Sequence, residues 1–188
     1  TAAPTVSSFI LSNSALKSGE TATVTIEFSE AVTGFASDDD ITVPNGSLST
    51  MTSSDNITWT GTYTPTAGIE DDSNVLTLAT SYTDTVGNAG ETATTANFTI
   101  DTAAPTVNAI ETTAFSWGSV LNAIEDNSDG TVSVTTSGAE DGQTLTITLN
   151  GATYTNTVSS NASTVTISTA GLQALTNGSS YTLTADVS

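Results

Sequence analysis

The 188-residue chain contains no cysteine and no histidine. Disulfides, thiolate nucleophiles, imidazole bases and the common zinc ligands are excluded together, and most familiar catalytic constellations go with them. Basic residues are nearly absent too: Lys17 is the single cation against 20 Asp and Glu, giving a formal net charge of -19. Such a polyanion is repelled by phosphate backbones and anionic lipid surfaces, which argues against nucleic-acid and membrane-surface partners. No apolar run approaches the roughly 20 residues that a membrane-spanning helix needs, and apolar residues at helical spacing are scarce. No secretory signal opens the sequence, which starts inside a repeat, so targeting signals are expected elsewhere in the protein.

What is present is repetition and alternation. The hexapeptide TAAPTV begins at Thr1 and again at Thr102, which predicts tandem domains at 1–101 and 102–188 joined by a short, proline-stiffened linker. Within each copy, apolar residues alternate with Thr and Ser over short runs, the period of a strand with one buried face. Val24, Ile26 and Phe28, then Ile57, Trp59 and Tyr63, then Leu76, Leu78 and Tyr82, then Phe98 and Ile100 form the inward set of the first copy. Val132 and Val134, Leu145 to Leu149, Val165 and Ile167, and Tyr181 to Val187 form that of the second. Asn45-Gly46, Asp129-Gly130, Asp141-Gly142, Asn150-Gly151 and Asn177-Gly178 are read as turns, and Leu172 with Leu175 as one helical turn. Short strands punctuated in this way predict an all-β chain of antiparallel β-sandwiches joined end to end. The second copy stops after Val187, so it is expected to lack its last strand and to leave a sheet edge open.

If the sandwiches are immunoglobulin-like, the acids sort to their poles. Glu20, the run Glu70, Asp71 and Asp72 in a loop before the sixth strand, and Asp101 after the last one fall at the end nearest the second copy. Glu140, Asp141 and Asp186 face the same junction from the second domain. Glu30, Asp39, Asp40 (in the run from Asp38) and Asp84 form a second group at the far pole of the first domain. Acid runs in loops are most often solvated surface, but ordinary surface acidity also carries lysines, and this chain has one. Converging carboxylates with no basic partner favour a hard divalent cation, typically Ca2+. No EF-hand loop is present. A pair of carboxylates could serve a glycosidase, yet nothing in the sequence signals a sugar cleft, and the reading is not an enzyme. An alternative is a carbohydrate- or surface-binding module that contacts its ligand through an exposed aromatic such as Trp117 or Tyr154.

The stretches FTIDTAAPTV, EFSEAVTGFASDDDITV and WTGTYTPTAGIEDDSNVLTLATSYTDTVGNAG resemble a bacterial immunoglobulin-like repeat of the giant calcium-dependent RTX-type adhesins exported by type I secretion. LNAIEDNSDGTVSVTTSGAEDGQTLTITLNGATYT and AGLQALTNGSSYTLTADVS resemble a sister repeat of biofilm-associated surface proteins. The resemblance implies extracellular extender domains that partner neighbouring repeats of the same chain and bind Ca2+ at the linkers. It further implies Ca2+ contacts for Asp101 with loop acids of both neighbours, and structural roles for Asp84 and Asn88 in the turn after the sixth strand. The adhesin's ligand would be contacted by other domains.

Overall fold

The computed structural model describes residues 2–188, which form two compact units, the first running to residue 103 and the second from 104 to 188. In the first unit, Val6–Leu11, Ala22–Phe28, Thr58–Pro65 and Gly46–Leu48 lie side by side, in that order, as one antiparallel sheet. The opposing layer is built from short ladders. Ala15–Lys17 pairs in parallel with Phe98–Asp101, which pairs antiparallel with Glu70–Asn74. Ala93–Thr94, Thr77–Leu78 and Ile41–Thr42 form a second ladder, and Thr83–Asp84 with Val32–Thr33 a third. Alternation decides what lies between the layers: Val24, Ile26, Phe28 and Tyr63 from one side meet Leu16, Leu76, Leu78, Tyr82, Phe98 and Ile100 from the other, all essentially inaccessible to water. The fold is an immunoglobulin-like β-sandwich, with the sheet order of the constant-domain arrangement in its four-stranded layer.

The second unit repeats the plan with fewer strands. Thr106–Val107, Gly130–Ser137 and Ala162–Ile167 make one antiparallel sheet, while Ala152–Thr157, Thr144–Leu149 and Leu183–Val187 make the other. Val132, Val134, Leu145, Ile147, Val165 and Ile167 fill the space between them. The helical turn expected around Leu172 is the helix Thr169–Gln173; its first turn is capped by the Ser168 side chain, which accepts from the Gly171 N–H, and Leu172 is buried. Among the described residues, Leu183–Val187 has one strand neighbour, Thr144–Leu149, and forms the edge of its sheet.

The structure corrects several local expectations. Glu70 to Asp72 do not form a loop: Glu70–Asn74 is a strand. Three successive acids carry little β-propensity, but the backbone partner that makes them a strand, Phe98–Asp101, lies some 30 residues away and leaves no local signal. Asp129-Gly130 is not a tight turn either. Gly130 begins a strand without positive φ, and a Cβ there would stand 2.4 Å from the Trp117 ring, so the glycine is required by close packing. Tyr181 is 37% exposed and precedes its strand, which starts at Leu183. Asn150-Gly151 behaves as expected. Both residues have positive φ, 50° and 79°, and they close the Thr144–Leu149/Ala152–Thr157 hairpin as the two-residue turn whose twist matches its strands.

Candidate functional site

The acids of the first unit fall into two chemically different groups. At one end of its short three-stranded ladder, Asp101 lies opposite Glu70 on one side and Lys17 on the other. Residues directly opposite in a ladder share a face. The neighbouring Ile100 and Leu16 are buried, so the alternation turns Lys17, Asp101 and Glu70 outward. Glu20 joins them through the hairpin that follows Lys17, its Oε2 accepting the Lys17 backbone N–H at 2.9 Å. Lys17 is the last residue of its strand and shares this row of acids. Asp72 is exposed beside them. Asp71 is instead engaged within the protein, where its carboxylate accepts the Asn45 side-chain amide at 2.7 Å and the Ser73 N–H at 2.8 Å. Asn45 also donates to the Oδ1 of Asn74, which is buried.

The chain leaves this ladder under restraint. Thr102 is buried, its N–H donates to the Ile69 carbonyl at 2.7 Å, and its Oγ1 accepts the Ile69 N–H at 3.0 Å while donating to the Thr66 carbonyl at 2.6 Å. The first residue of the second TAAPTV therefore packs with the first unit, which extends to residue 103.

Two acids of the far group, Asp84 and Asp40, are already engaged by protein donors. Asp84 is 1% exposed. Its Oδ1 accepts the Val86 and Asn88 N–H groups at 2.9 and 2.8 Å, and its Oδ2 accepts the Asn88 amide at 2.7 Å. Burial pushes this carboxyl up, but the Asn88 side chain and the Asn88, Val86 and Gly87 N–H groups outweigh it and hold it below the usual range. Asp40, also buried, accepts the Ala36 N–H at 2.7 Å and the Ser81 hydroxyl. Asp39 is exposed on the one-turn helix Ser37–Asp40, and Glu30 is half-buried. In the second unit Glu140 and Asp141 lie in the turn that leads into Thr144–Leu149, and Asp141 accepts the Ser160 N–H at 2.6 Å. Asp186, exposed, pairs with Thr146 at the same end of that sheet.

Among the described residues no three carboxylates come together as a ready metal cage. A hard cation still discriminates between the groups. Asp84 and Asp40 have their oxygens taken by N–H and O–H donors and do not fit it. Asp101, Glu70 and Asp72 present outward oxygens of the right chemistry, and Glu20 joins them with its Oε2 already accepting the Lys17 N–H.

Two anchoring acids give a weaker sequence signal. Asp129 accepts both the N–H and the Oγ1–H of Thr169, at 2.7 and 2.8 Å, bracing the start of the helix from 40 residues away; these two bonds hold its carboxyl below the usual range. Asp55 takes the Thr58 and Ile57 N–H groups, both at 2.9 Å, in a compact turn with Ser53, and is lowered likewise. For Asp55 the sequence offers one cue, an Asp within three residues of a strand.

The aromatic side chains considered for an alternative ligand site are not free platforms. Trp117 is half-buried, stacked on Phe115 with centroids 5.3 Å apart and planes at 18°, and packed against the second core. Tyr154 is also half-buried there, and its hydroxyl lies where a Cβ on Gly171 would be. Trp59 packs edge-to-face on Phe35 at 5.0 Å, against the first core.

A two-layer antiparallel sandwich followed by a second of the same plan defines a tandem immunoglobulin-like protein. The chain belongs to the bacterial Ig-like domain family, whose model matches residues 1–100. No curated protein matches it. Among solved structures it is similar to a 1.5-MDa bacterial ice-binding adhesin, with 26% identity over 90% of this chain and 55% of that one and a TM-score of 0.42. It is also similar to a Ca2+-stabilized adhesin with which an Antarctic bacterium binds ice, with 22% identity over 100% of this chain and 49% of that one and a TM-score of 0.40. The adhesin InvE of Yersinia pseudotuberculosis gives 14% identity over 96% of this chain and 55% of that one, with a TM-score of 0.37. The chain spans about half the length of these structures.

Proposed function

We propose that the two domains, 1–101 and 102–188, are non-enzymatic extender repeats of a bacterial surface adhesin, stiffened by Ca2+ held at their acidic linker. The observation that carries this reading is the outward row at the end of the first sandwich. Asp101 lies in register with Glu70, with Glu20 and Asp72 nearby, immediately before the restrained Thr102 and the proline of the linker. The carboxylates of this rigid ladder outnumber the one ammonium in the row, that of Lys17 opposite Asp101, and a divalent cation relieves the remaining repulsion while taking several of their oxygens at once. Glu140, Asp141 and Asp186 are the acids that the second domain offers to such a site. Glu30 and Asp39 are the candidates for an equivalent joint at the opposite end of the first domain. Membership in the bacterial Ig-like family supports the extender role. Extracellular display, export by type I secretion as part of an RTX- or biofilm-type adhesin, and neighbouring repeats of the same chain as partners belong to the same proposal.

Calorimetric titration with CaCl2 tests it. The native chain is expected to bind Ca2+, and Asp101→Asn to lose one ion while keeping any others and an unchanged circular dichroism spectrum. Equal stoichiometry in the two proteins overturns the assignment of Asp101.

A further inference from the structure

The same dipeptide, Asn-Gly, occurs at three places whose surroundings differ in the features that govern one reaction. Asparagine followed by glycine can deamidate without an enzyme. The glycine amide nitrogen, deprotonated by base, attacks the asparagine Cγ; the new C–N bond closes a five-membered imide and ammonia leaves with the Cγ–Nδ2 bond. Water then opens the imide at either carbonyl, giving aspartate or, with one extra backbone methylene, isoaspartate. The reaction needs a side chain free to swing back over the following peptide and a backbone free to leave its resting ψ.

Asn45 has neither freedom. Its Nδ2 donates to Asp71 at 2.7 Å and to Asn74 at 2.8 Å, and Gly46 begins a strand in which any Cβ would meet the Tyr63 hydroxyl at 2.5 Å. Asn150 has a solvent-exposed side chain, but its backbone is fixed at φ 50° in a two-residue turn closed by the Leu149–Ala152 pair, at the tip of a fully paired hairpin. Rotating ψ there opens the hairpin. Asn177 and Gly178 are both exposed, and they lie in residues 174–182, which belong to no helix or strand. Asn177 and Gly178 are the central pair of a turn closed by one bond, the Ser179 N–H to the Thr176 carbonyl at 3.2 Å, and the Thr176 N–H donates to the Tyr181 hydroxyl at 2.6 Å; unlike the Asn150 turn, this one joins no paired strands. Neither bond engages the Asn177 amide or the Gly178 N–H.

We propose that Asn177 is a site of spontaneous deamidation, modified ahead of Asn45 and Asn150. Conversion adds a carboxylate to a chain that already carries 20 acids and one cation, and isoaspartate lengthens the connection between the helix Thr169–Gln173 and the edge strand Leu183–Val187.

The test is to incubate the intact chain in mildly alkaline buffer, native and in denaturing guanidinium, and follow the three Asn-Gly peptides by mass spectrometry that separates aspartate from isoaspartate. Native conversion at Asn177 is expected to run several-fold ahead of the other two, and the three rates to converge on unfolding. Faster native conversion at Asn45 or Asn150 overturns the proposal. So does a native ranking that persists unchanged in denaturant, because the immediate sequence rather than the fold would then set it.

Discussion

At the scale of single residues, the acids divide by what already touches them. Asp84 receives its donors from its own turn and is held ionised below its ordinary range despite being buried; Asp129 and Asp55 are lowered by the backbone N–H groups they cap. The linkage follows from that direction. A carboxyl whose folded pKa lies below its unfolded value of about 3.8 contributes stability above that pH and loses it as pH falls through the depressed folded value. The acid limb of the stability curve is therefore expected to fall below pH 3.8, and Asp84→Asn to make that limb shallower. Urea unfolding of both proteins at a series of pH values between neutrality and strong acid measures this. Parallel acid limbs would remove Asp84 from the account. In the sequence Asp84 stands among candidate metal ligands and, through the family resemblance, in a structural turn; the donors around it favour the turn, and they are visible only once Val86, Gly87 and Asn88 have folded back over it.

At the scale of elements, legibility depends on how far away the partner lies. Strands whose own alternation buries a face, such as Ala22–Phe28 and Thr144–Leu149, can be read directly, and so can the Asn150-Gly151 hairpin, because its turn residues and both strands are contiguous. Glu70–Asn74 cannot, since its composition is that of a loop and its ladder comes from Phe98–Asp101. Gly130 resembles a turn glycine for a related reason: it serves Trp117, which reaches it from outside the strand, across the connection that carries the short helix Glu125–Asn127. The outward row of Asp101 and Glu70 is the product of that unreadable strand, so the residues are legible and their pairing is not. Thr102 secures the same element. Replacing it by valine preserves shape but leaves the Ile69 N–H and the Thr66 carbonyl without the Oγ1 that joins them at 3.0 and 2.6 Å. Thr102→Val is expected to lower the stability of the first unit by about 1–3 kcal/mol. Denaturant unfolding checks it, and a change below a few tenths of a kcal/mol would mean that water substitutes fully for the hydroxyl.

At the scale of the whole molecule, a net charge of -19 with a single cation means that any added salt relieves repulsion to some degree. Screening must therefore be separated from site binding before Ca2+ is credited with a structural role. Over a Debye length of roughly 8–10 Å at physiological salt, screening acts on all exposed acids alike and depends on ionic strength. A site depends on the identity of the ion. Binding that is restricted to the folded state adds about 4 kcal/mol at a thousandfold excess over the dissociation constant, which for a unit of about 100 residues raises Tm by roughly 4–8 °C per kcal/mol. Thermal unfolding in NaCl and in CaCl2 at matched ionic strength is thus expected to give a distinctly higher Tm in CaCl2, with most of the difference lost in Asp101→Asn. Matched Tm values in the two salts would reduce the acidic rows to solvated surface. A calcium effect that survives Asp101→Asn intact would place the ion on other carboxylates, with Glu30 and Asp39 the next to replace, since Asp40 and Asp84 already spend their oxygens on protein donors.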